Sequence, residues 1–370
     1  MQVALAHDYF YALGGAEQTV AVLHGLWPEA PVYTSFVDRS AFPLDTVDWN
    51  VRTSFLQRIP YPARLQKLLT PLYPLAFRSL NIEPIDVVVS SASFAAKGLP
   101  RRKDTLHICY CYTPPRFLWG MTPATDRKQM SWPLRGLDAL FRPHLRRWDR
   151  WAAAQPHHMV AISHTVAERI RRIYDRDATV IYPPVATDRF QSQPARDEGY
   201  YVYVGRLEFH KRVDIAIAAA QAAGVPLRVI GDGPLRDRLA ETAPANVALL
   251  GWLPEEALLT QLAGCRALLF PGEEDFGIVM VEALSAGKPV IAFGAGGATE
   301  IVRPGVNGVL VAEQSAAAFA QALRDFDPAR YSPEACRQTA AQFDESVFSL
   351  QFKAFVEEKW TEFTQSLQNT

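Results

Sequence analysis

Little in this sequence is built for zinc, disulfide or membrane-spanning chemistry. It has four cysteines, Cys109, Cys111, Cys265 and Cys336, and no pair of them has zinc-site spacing. Cys109 and Cys111 share one face of an expected strand, so reduced core thiols are the reading that follows. No apolar run reaches the about 18 residues that a spanning helix requires. The opening residues 1–6 form a short apolar strand with no basic leader, too brief for a signal peptide, so a cytoplasmic protein is expected. Neither half carries G-x-G-x-x-G followed by a ribose-binding acid, which argues against a nicotinamide enzyme.

What is present is an ordinary folded composition, 49% hydrophobic and 21% charged, over 370 residues. That length favours two α/β domains of roughly 150 to 200 residues each. Net charge is only −1, but residues 1–190 hold 23 Lys and Arg against 16 Asp and Glu, whereas residues 191–370 hold 15 against 23. The first half is therefore expected to meet an anionic partner.

Short β-branched runs alternate with longer amphipathic stretches, the pattern of parallel sheets wrapped by helices. Strands are expected at 3–6, 87–91, 106–111, 159–163 and 179–182, and the pattern restarts at 201–205, 227–231, 247–250, 267–270 and 289–293. This predicts a first domain over 1–190 and a second over 198–344, with Pro183, Pro184 and the polar stretch 191–199 reading as the linker between the two sheets. A last helix over 345–370 carries Phe348, Phe352, Phe355, Trp360 and Phe363 at three- and four-residue spacing. So much aromatic surface needs a neighbour, and a return onto the first domain would supply one.

Three segments carry chemistry. Glu274-Asp-Phe276-Gly277-Ile278-Val279 follows a strand and runs into a helix bearing Glu282. A helix start of this kind presents backbone N–H groups and a positive dipole end, which suits phosphate. The second segment is Gly205-Arg206-Leu-Glu-Phe-His-Lys211, at another strand's carboxyl end, where ligand crevices of open parallel sheets lie. Arg206 and Lys211 there can neutralise a diphosphate. Gly231-Asp-Gly233-Pro adds a further place for close backbone approach. Near the start, His7-Asp8 and then Gly14-Gly15-Ala-Glu17 repeat the order strand, loop, helix opening, and the Gly pair can cradle a charged or sugar ligand.

Together these residues resemble the retaining, metal-independent glycosyltransferases of family 4, and the resemblance covers nearly the whole chain. It rests on Gly14-Gly15-x-Glu17, Gly205-Arg206-x4-Lys211, Gly231-Asp-Gly-Pro and Glu274-x7-Glu282 in that order. His7-Asp8, Tyr112-Thr-Pro-Pro-Arg116-Phe-Leu-Trp119 and Tyr182-Pro-Pro-Val look like bacterial mannosyltransferases that build surface polysaccharide and O-chains.

The resemblance implies a GT-B fold, an α/β architecture of two Rossmann-like domains facing across a cleft with the C-terminal helix returning to the first. It implies Arg206 and Lys211 on the donor diphosphate, Glu274 on the donor sugar and Glu282 on the ribose. Gly14, Gly15, Gly205, Gly231 and backbone groups at Phe276, Gly277, Ile278 and Val279 would complete the donor site. Asp8, Glu17 and Arg116 would lie on the acceptor side. No cofactor and no metal are implied. The donor favoured is GDP-mannose, with UDP-sugars next, and the acceptor a lipid-linked saccharide.

One position departs from the family pattern. Where relatives commonly place a sugar-facing His before Thr-Pro, this chain has Tyr112, whose hydroxyl can hydrogen-bond a sugar but, with a pKa near 10, is a poor proton acceptor. Asp175-Arg-Asp177 and Asp325-Phe-Asp327 match the metal-binding triplet of a different transferase fold, but read as solvated loops.

From Arg52 to Ile82 there is no acid, while Arg52, Arg58, Arg64, Lys67 and Arg78 punctuate Phe55, Tyr61, Leu65, Leu68, Leu72 and Leu75. Such interleaving suits an anionic bilayer surface, which would place the protein on the inner face of the cell membrane. Arg135, Arg142, Arg146, Arg147 and Arg150, mixed with Trp132, Leu137, Leu140 and Trp148, make a second candidate. Nucleic acid is a poorer partner, since no recognition motif accompanies the charge. Two other readings stand beside transfer: a sugar nucleotide epimerase or phosphorylase of similar fold, and a non-catalytic nucleotide-sugar binding partner.

Overall fold

A computed structural model describes residues 1–12, 14–39, 49–100, 102–121 and 132–368. The side chains of Lys67, Trp132 and Leu137, named above in the basic stretches, lie outside those described. The chain divides into two compact units, Met1–Pro184 with Phe348–Thr370, and Val185–Val347.

The first unit is built on a seven-stranded, all-parallel sheet in the order β3-β2-β1-β4-β5-β6-β7. Its strands are β1 Val3–His7, β2 Val32–Thr34, β3 Val51–Thr53, β4 Val87–Ala92, β5 Leu106–Cys111, β6 His158–Ala161 and β7 Thr179–Val180. Every residue of β1, β4 and β5 is buried, as expected for central strands covered on both faces. The helices that matter below are α1 Gly15–Leu26, α2 Tyr73–Arg78, α3 Trp132–Ala153 and α4 His164–Tyr174.

The second unit repeats the plan with six parallel strands in the order β10-β9-β8-β11-β12-β13. These are β8 Tyr201–Val204, β9 Leu227–Ile230, β10 Val247–Gly251, β11 Leu268–Phe270, β12 Val290–Phe293 and β13 Gly308–Val311. Its helices include α5 Val213–Ala223, α6 Glu255–Gly264, α7 Ile278–Ser285 and α8 Ala316–Asp325. Strand order reverses between β1 and β4 in one sheet and between β8 and β11 in the other, and such reversals open a crevice at the carboxyl ends.

Residues 185–190 are bonded into the second unit. Val185 N donates to Phe343 O at 3.0 Å, Glu345 N to Val185 O at 3.1 Å, and the Thr187 hydroxyl to Asp344 Oδ2 at 2.6 Å. The stretch 191–199 is tied in as well, through Arg196 N to Ala263 O at 2.8 Å and Glu198 N to Gly264 O at 2.9 Å. Helix α9, Glu345–Gln368, contributes its residues from Phe348 onward to the first unit. Phe348 and Phe352 each set an edge against the Tyr110 ring at 5.6 Å, and Phe363 meets His157 at 5.1 Å. Burying Phe348 and Phe352 stabilises this return by about 1.5–3 kcal/mol each.

All four cysteines are free and buried. The most demanding core feature is a charge pair: Lys97 Nζ lies 2.7 Å from Asp149 Oδ1 and both side chains are 0% exposed. Lys97 also donates to Phe94 O at 2.6 Å, while Asp149 Oδ2 accepts from the Trp119 indole at 2.8 Å and the Tyr174 hydroxyl at 2.7 Å. Burial works against the lysine charge, but Asp149 and other nearby anionic groups outweigh it and raise its pKa. Removing one partner leaves an uncompensated buried charge. Lys97→Met or Asp149→Asn is therefore expected to destabilise the first unit by about 3–5 kcal/mol in urea unfolding followed by tryptophan fluorescence. The double replacement Lys97→Met/Asp149→Leu should cost less than the sum of the two single changes.

Candidate functional site

In the second unit, the loop after β8 and the loop after β11 flank the reversal of strand order. Lys211 ends a short turn, Phe209–Lys211, and Arg212 then takes a left-handed backbone with φ 53° at the head of α5. That conformation is unfavourable for a side-chain-bearing residue, and here it aims the turn while the guanidinium is held by Asp214 at 3.1 Å and Gln314 at 3.1 Å. Lys211 Nζ reaches Glu274 Oε1 at 2.5 Å, joining the two loops by an ion pair that is largely but not wholly buried. Arg206 is exposed and pairs with Glu208 at 3.1 Å, whose other oxygen lies 3.3 Å from His210 Nδ1.

Two glycines are required by this geometry. A Cβ on Gly231 would lie 2.0 Å from Gly205 O, so the turns after β8 and β9 can touch only with no side chain between them. Gly277 has φ 97° and leads directly into α7, whose first backbone N–H groups have no intrahelical partner. The loop that precedes it is fixed from the side: Gly297 N donates to Glu274 O at 2.9 Å, and the buried Phe276 ring sets an edge to Phe343 at 5.3 Å. Glu274, Phe276, Gly277, Ile278 and Val279 are thus gathered at one helix start, with Lys211 beside them.

Glu282 lies on α7, about one turn past Ile278. Burial pushes its carboxyl pKa up to about 7, with Arg189 opposing that rise and Glu255, at the start of α6, adding to it. Arg189 and Glu255 pair with each other at 3.6 Å.

The residues singled out near the start of the chain do different work. Both oxygens of the Asp8 carboxylate are occupied by backbone N–H groups: Oδ2 by Ser93 and Phe94 at 2.8 Å each, Oδ1 by Ala95 and Ala96 at 2.7 Å each. Four donors saturate a carboxylate, and Asp8 is 5% exposed, so in this state it fastens the loop after β4. Glu17 Oε2 accepts from Gly14 N at 3.0 Å, closing the turn that opens α1, and its Oε1 lies 3.8 Å from His7 Nε2. His7 Nδ1 is 3.0 Å from Ser91 O and 3.1 Å from Ser91 Oγ.

Tyr112 belongs to the same network. Its hydroxyl donates to Ala16 O at 2.9 Å and pairs with Ser91 Oγ at 2.7 Å, while burial raises its pKa far above the ordinary phenol value. The phenol thus links β5 to α1 and β4, and in this state it is engaged within its own unit. Arg116 opens a one-turn helix, Arg116–Trp119, and is half-buried. The guanidinium groups of Arg146 and Arg150 lie over the Trp119 ring, at 5.4 and 5.0 Å from its centre. Among the described residues no group of three or more His, Cys, Asp or Glu could hold a metal ion.

Sequence reasoning missed Glu208, although it stands inside the quoted motif. It also missed Ser91, Lys97 and Asp149, whose roles come from pairings across tens of residues. A buried lysine leaves no signal in periodicity.

Residues 185–343 match the family described as Glycosyl transferases group 1, and residues 13–189 match Glycosyltransferase Family 4. D-rhamnosyltransferase WbpZ of Pseudomonas aeruginosa is 31% identical over 203 residues, which are 50% of this chain and 52% of that protein. GDP-mannose-dependent alpha-mannosyltransferase of Corynebacterium glutamicum is 34% identical over 110 residues, 30% of this chain and 26% of that one. The chain thus spans about half, or less, of the length of these curated relatives. The crystal structure of Anabaena Alr3699/HepE in complex with UDP superposes with a TM-score of 0.69 at 18% identity, covering 97% of this chain and all of that one.

The Glu282 carboxyl sets a pH dependence. An acid whose folded pKa is raised contributes stability that is complete below its unfolded value, near 4.5, and is lost as pH rises through about 7. Glu282→Gln removes the ionisation. Its stability relative to the native chain is expected to improve from pH 5 to pH 8 by on the order of 1–2 kcal/mol, allowing for partial solvent access, as read from urea unfolding at both pH values. A difference independent of pH would contradict this.

Proposed function

The chain belongs to the GT-B glycosyltransferases of family 4, and from that premise we propose that it transfers a hexose from a nucleotide diphosphate sugar with retention of configuration and without a metal. The observation that carries this reading is the Lys211–Glu274 pair at the head of α7. A cation and a carboxylate stand there together beside a helix start, the combination needed to hold a diphosphate and the hydroxyls of the sugar attached to it.

In this reading Lys211 and Arg206 neutralise the diphosphate, Glu274 accepts hydrogen bonds from the sugar hydroxyls, and Glu282 accepts them from the ribose. Backbone groups from Phe276 to Val279 orient the sugar and phosphates. As the bond from the anomeric carbon to the phosphate oxygen breaks, the acceptor oxygen attacks from the same face. Its proton passes to the departing phosphate, so no side-chain base is required. Catalysis then consists of positioning and charge stabilisation. Tyr112, whose hydroxyl is engaged with Ser91 and Ala16, takes no proton in this scheme.

GDP-mannose is the favoured donor, supported by the mannosyl- and rhamnosyl-transferring relatives, and a lipid-linked or oligosaccharide acceptor of bacterial surface polysaccharide synthesis is the favoured partner. The protein would work at the inner face of the membrane. No helix among the described residues is long and apolar enough to cross a bilayer. The acid-free stretch after Arg52 instead leaves Tyr61 71% and Leu75 56% exposed, with Arg58, Arg64 and Arg78 exposed around them.

Lys211→Ala and Glu274→Ala are expected to lower transfer from GDP-mannose by on the order of 100-fold or more, while EDTA leaves native turnover unchanged. Product is measured by mass spectrometry on a lipid-linked acceptor. Full turnover by both folded variants would refute the donor site, and a loss in EDTA restored by magnesium or manganese would refute the metal-free scheme.

Binding to vesicles of phosphatidylglycerol is expected to fall with salt and to weaken in Arg58→Glu/Arg64→Glu, with nucleotide binding unaffected. Equal sedimentation of native and variant protein with anionic and neutral vesicles would end the membrane proposal.

A further inference from the structure

The donor reading leaves one carboxylate of the second unit without a role, that of Glu208. In sequence it stands between the two cations assigned to the diphosphate, Arg206 and Lys211, and the loop itself fixes it there. Leu207 is buried and its backbone is bonded to the turn after β9, its N to Asp232 O at 2.9 Å and its O from Leu235 N at 3.1 Å. Glu208 N donates to Arg206 O at 2.9 Å, and Lys211 N to Glu208 O at 3.1 Å. From that backbone the carboxylate reaches two ways: Oε1 lies 3.1 Å from Arg206 Nη1 and Oε2 lies 3.3 Å from His210 Nδ1. The Arg206 side chain is 66% exposed and that of Glu208 28%, so the pair faces solvent.

Stability does not account for this arrangement, since an exposed ion pair contributes little to folding. The placement also opposes diphosphate binding. Glu273, Glu274 and Asp275 stand on the adjoining loop, where a Cβ on Gly272 would lie 3.0 Å from Lys211 O, and Arg212 is taken up by Asp214. A place read as holding a diphosphate therefore has more carboxylates than cations. A site built for affinity alone would dispense with Glu208, because a carboxylate beside a phosphate weakens its binding.

The chemistry of transfer supplies a reason. When the bond from the anomeric carbon to the phosphate oxygen breaks, its electron pair stays on that oxygen. The acceptor's proton arrives there and then passes to water, because a phosphate monoester loses its second proton at a pKa of about 6. The nucleoside diphosphate now holds one more negative charge than the donor did. A helix start and two cations alone would hold this product more tightly than the donor. A fixed carboxylate among them opposes that bias, since its repulsion grows with the charge of the ligand. We propose that Glu208 is a positioning residue that holds Arg206 while the site is empty, competes with phosphate for the guanidinium when it is full, and so favours loss of the nucleoside diphosphate. The inference rests on the donor reading of Arg206 and Lys211 given above.

The full chain, without acceptor, is titrated calorimetrically at pH 8 with GDP and GDP-mannose, and with UDP and UDP-glucose. The readout is the ratio of donor Kd to diphosphate Kd within each pair, in which general damage to the loop cancels. One additional ligand charge about 6 Å from a carboxylate in a partly solvated site is worth a factor of about 3 to 10. Glu208→Gln is therefore expected to raise the ratio about 3- to 10-fold, with the effect shrinking at high salt, and Glu208→Asp to restore the native value. In turnover assays the inhibition constant for the diphosphate should fall by the same factor relative to the donor KM.

An unchanged or lowered ratio in Glu208→Gln, with the ligands still binding, overturns the inference and leaves the donor site in place. Equal weakening of both members of a pair does the same, since that is what a merely structural carboxylate would give. If none of these nucleotides binds the native chain, the donor reading itself is wrong and this inference falls with it.

Discussion

The carboxyl end of the first sheet depends on how one short loop is held. Ser93 to Ala96 leave β4 with four backbone N–H groups aimed at a single carboxylate, that of Asp8. Lys97, the next residue, turns its ammonium group back onto the carbonyl of Phe94 and pairs with Asp149. An anion thus gathers the donors of the loop and a cation its acceptors, and neither is accessible to water. A backbone tied at both ends in this way has no freedom to drift. The elements around it, from α3 through Trp119 and Tyr174 to the aromatic side chains beside β1, take their positions from it.

The two units place charge differently. In the second, the cation and carboxylate of Lys211 and Glu274 come from loops over 60 residues apart and remain partly accessible. In the first, Asp8, Glu17, His7 and Tyr112 are committed to one another and to the backbone. Comparable residue types therefore stay partly accessible in one sheet and are locked to the backbone in the other. Exposure and the number of backbone donors distinguish the two cases.

Much of the architecture was legible because a central parallel strand is nearly its own signal. Residues 106–111 are mostly apolar, with His107 the exception, and form β5 over the expected span, and the restart of the pattern at residue 201 marks the second sheet. β2 and β3 escaped because Val32–Thr34 and Val51–Thr53 are too short to show periodicity. β13 escaped because Gly308–Val311 follows Pro304-Gly-Val-Asn307, which reads as loop. The prolines at 183 and 184 mark the change of unit better than the polar stretch after 190, whose backbone is bonded to α6. Of the candidate donor site, the glycines and the residues beside strand ends could be read in order. The Lys211–Glu274 pairing and the saturation of Asp8 could not, since each depends on partners distant in sequence.

The return of α9 also has a consequence for synthesis. Residues 185–347 form a continuous unit that can complete its sheet as it emerges from the ribosome. The first unit cannot, because the faces of Tyr110, His157 and Trp27 receive Phe348, Phe352 and Phe363 only after that whole insert has been translated. Through that interval the nascent chain carries an uncovered aromatic surface beside a finished domain, a state prone to aggregation and suited to chaperone capture.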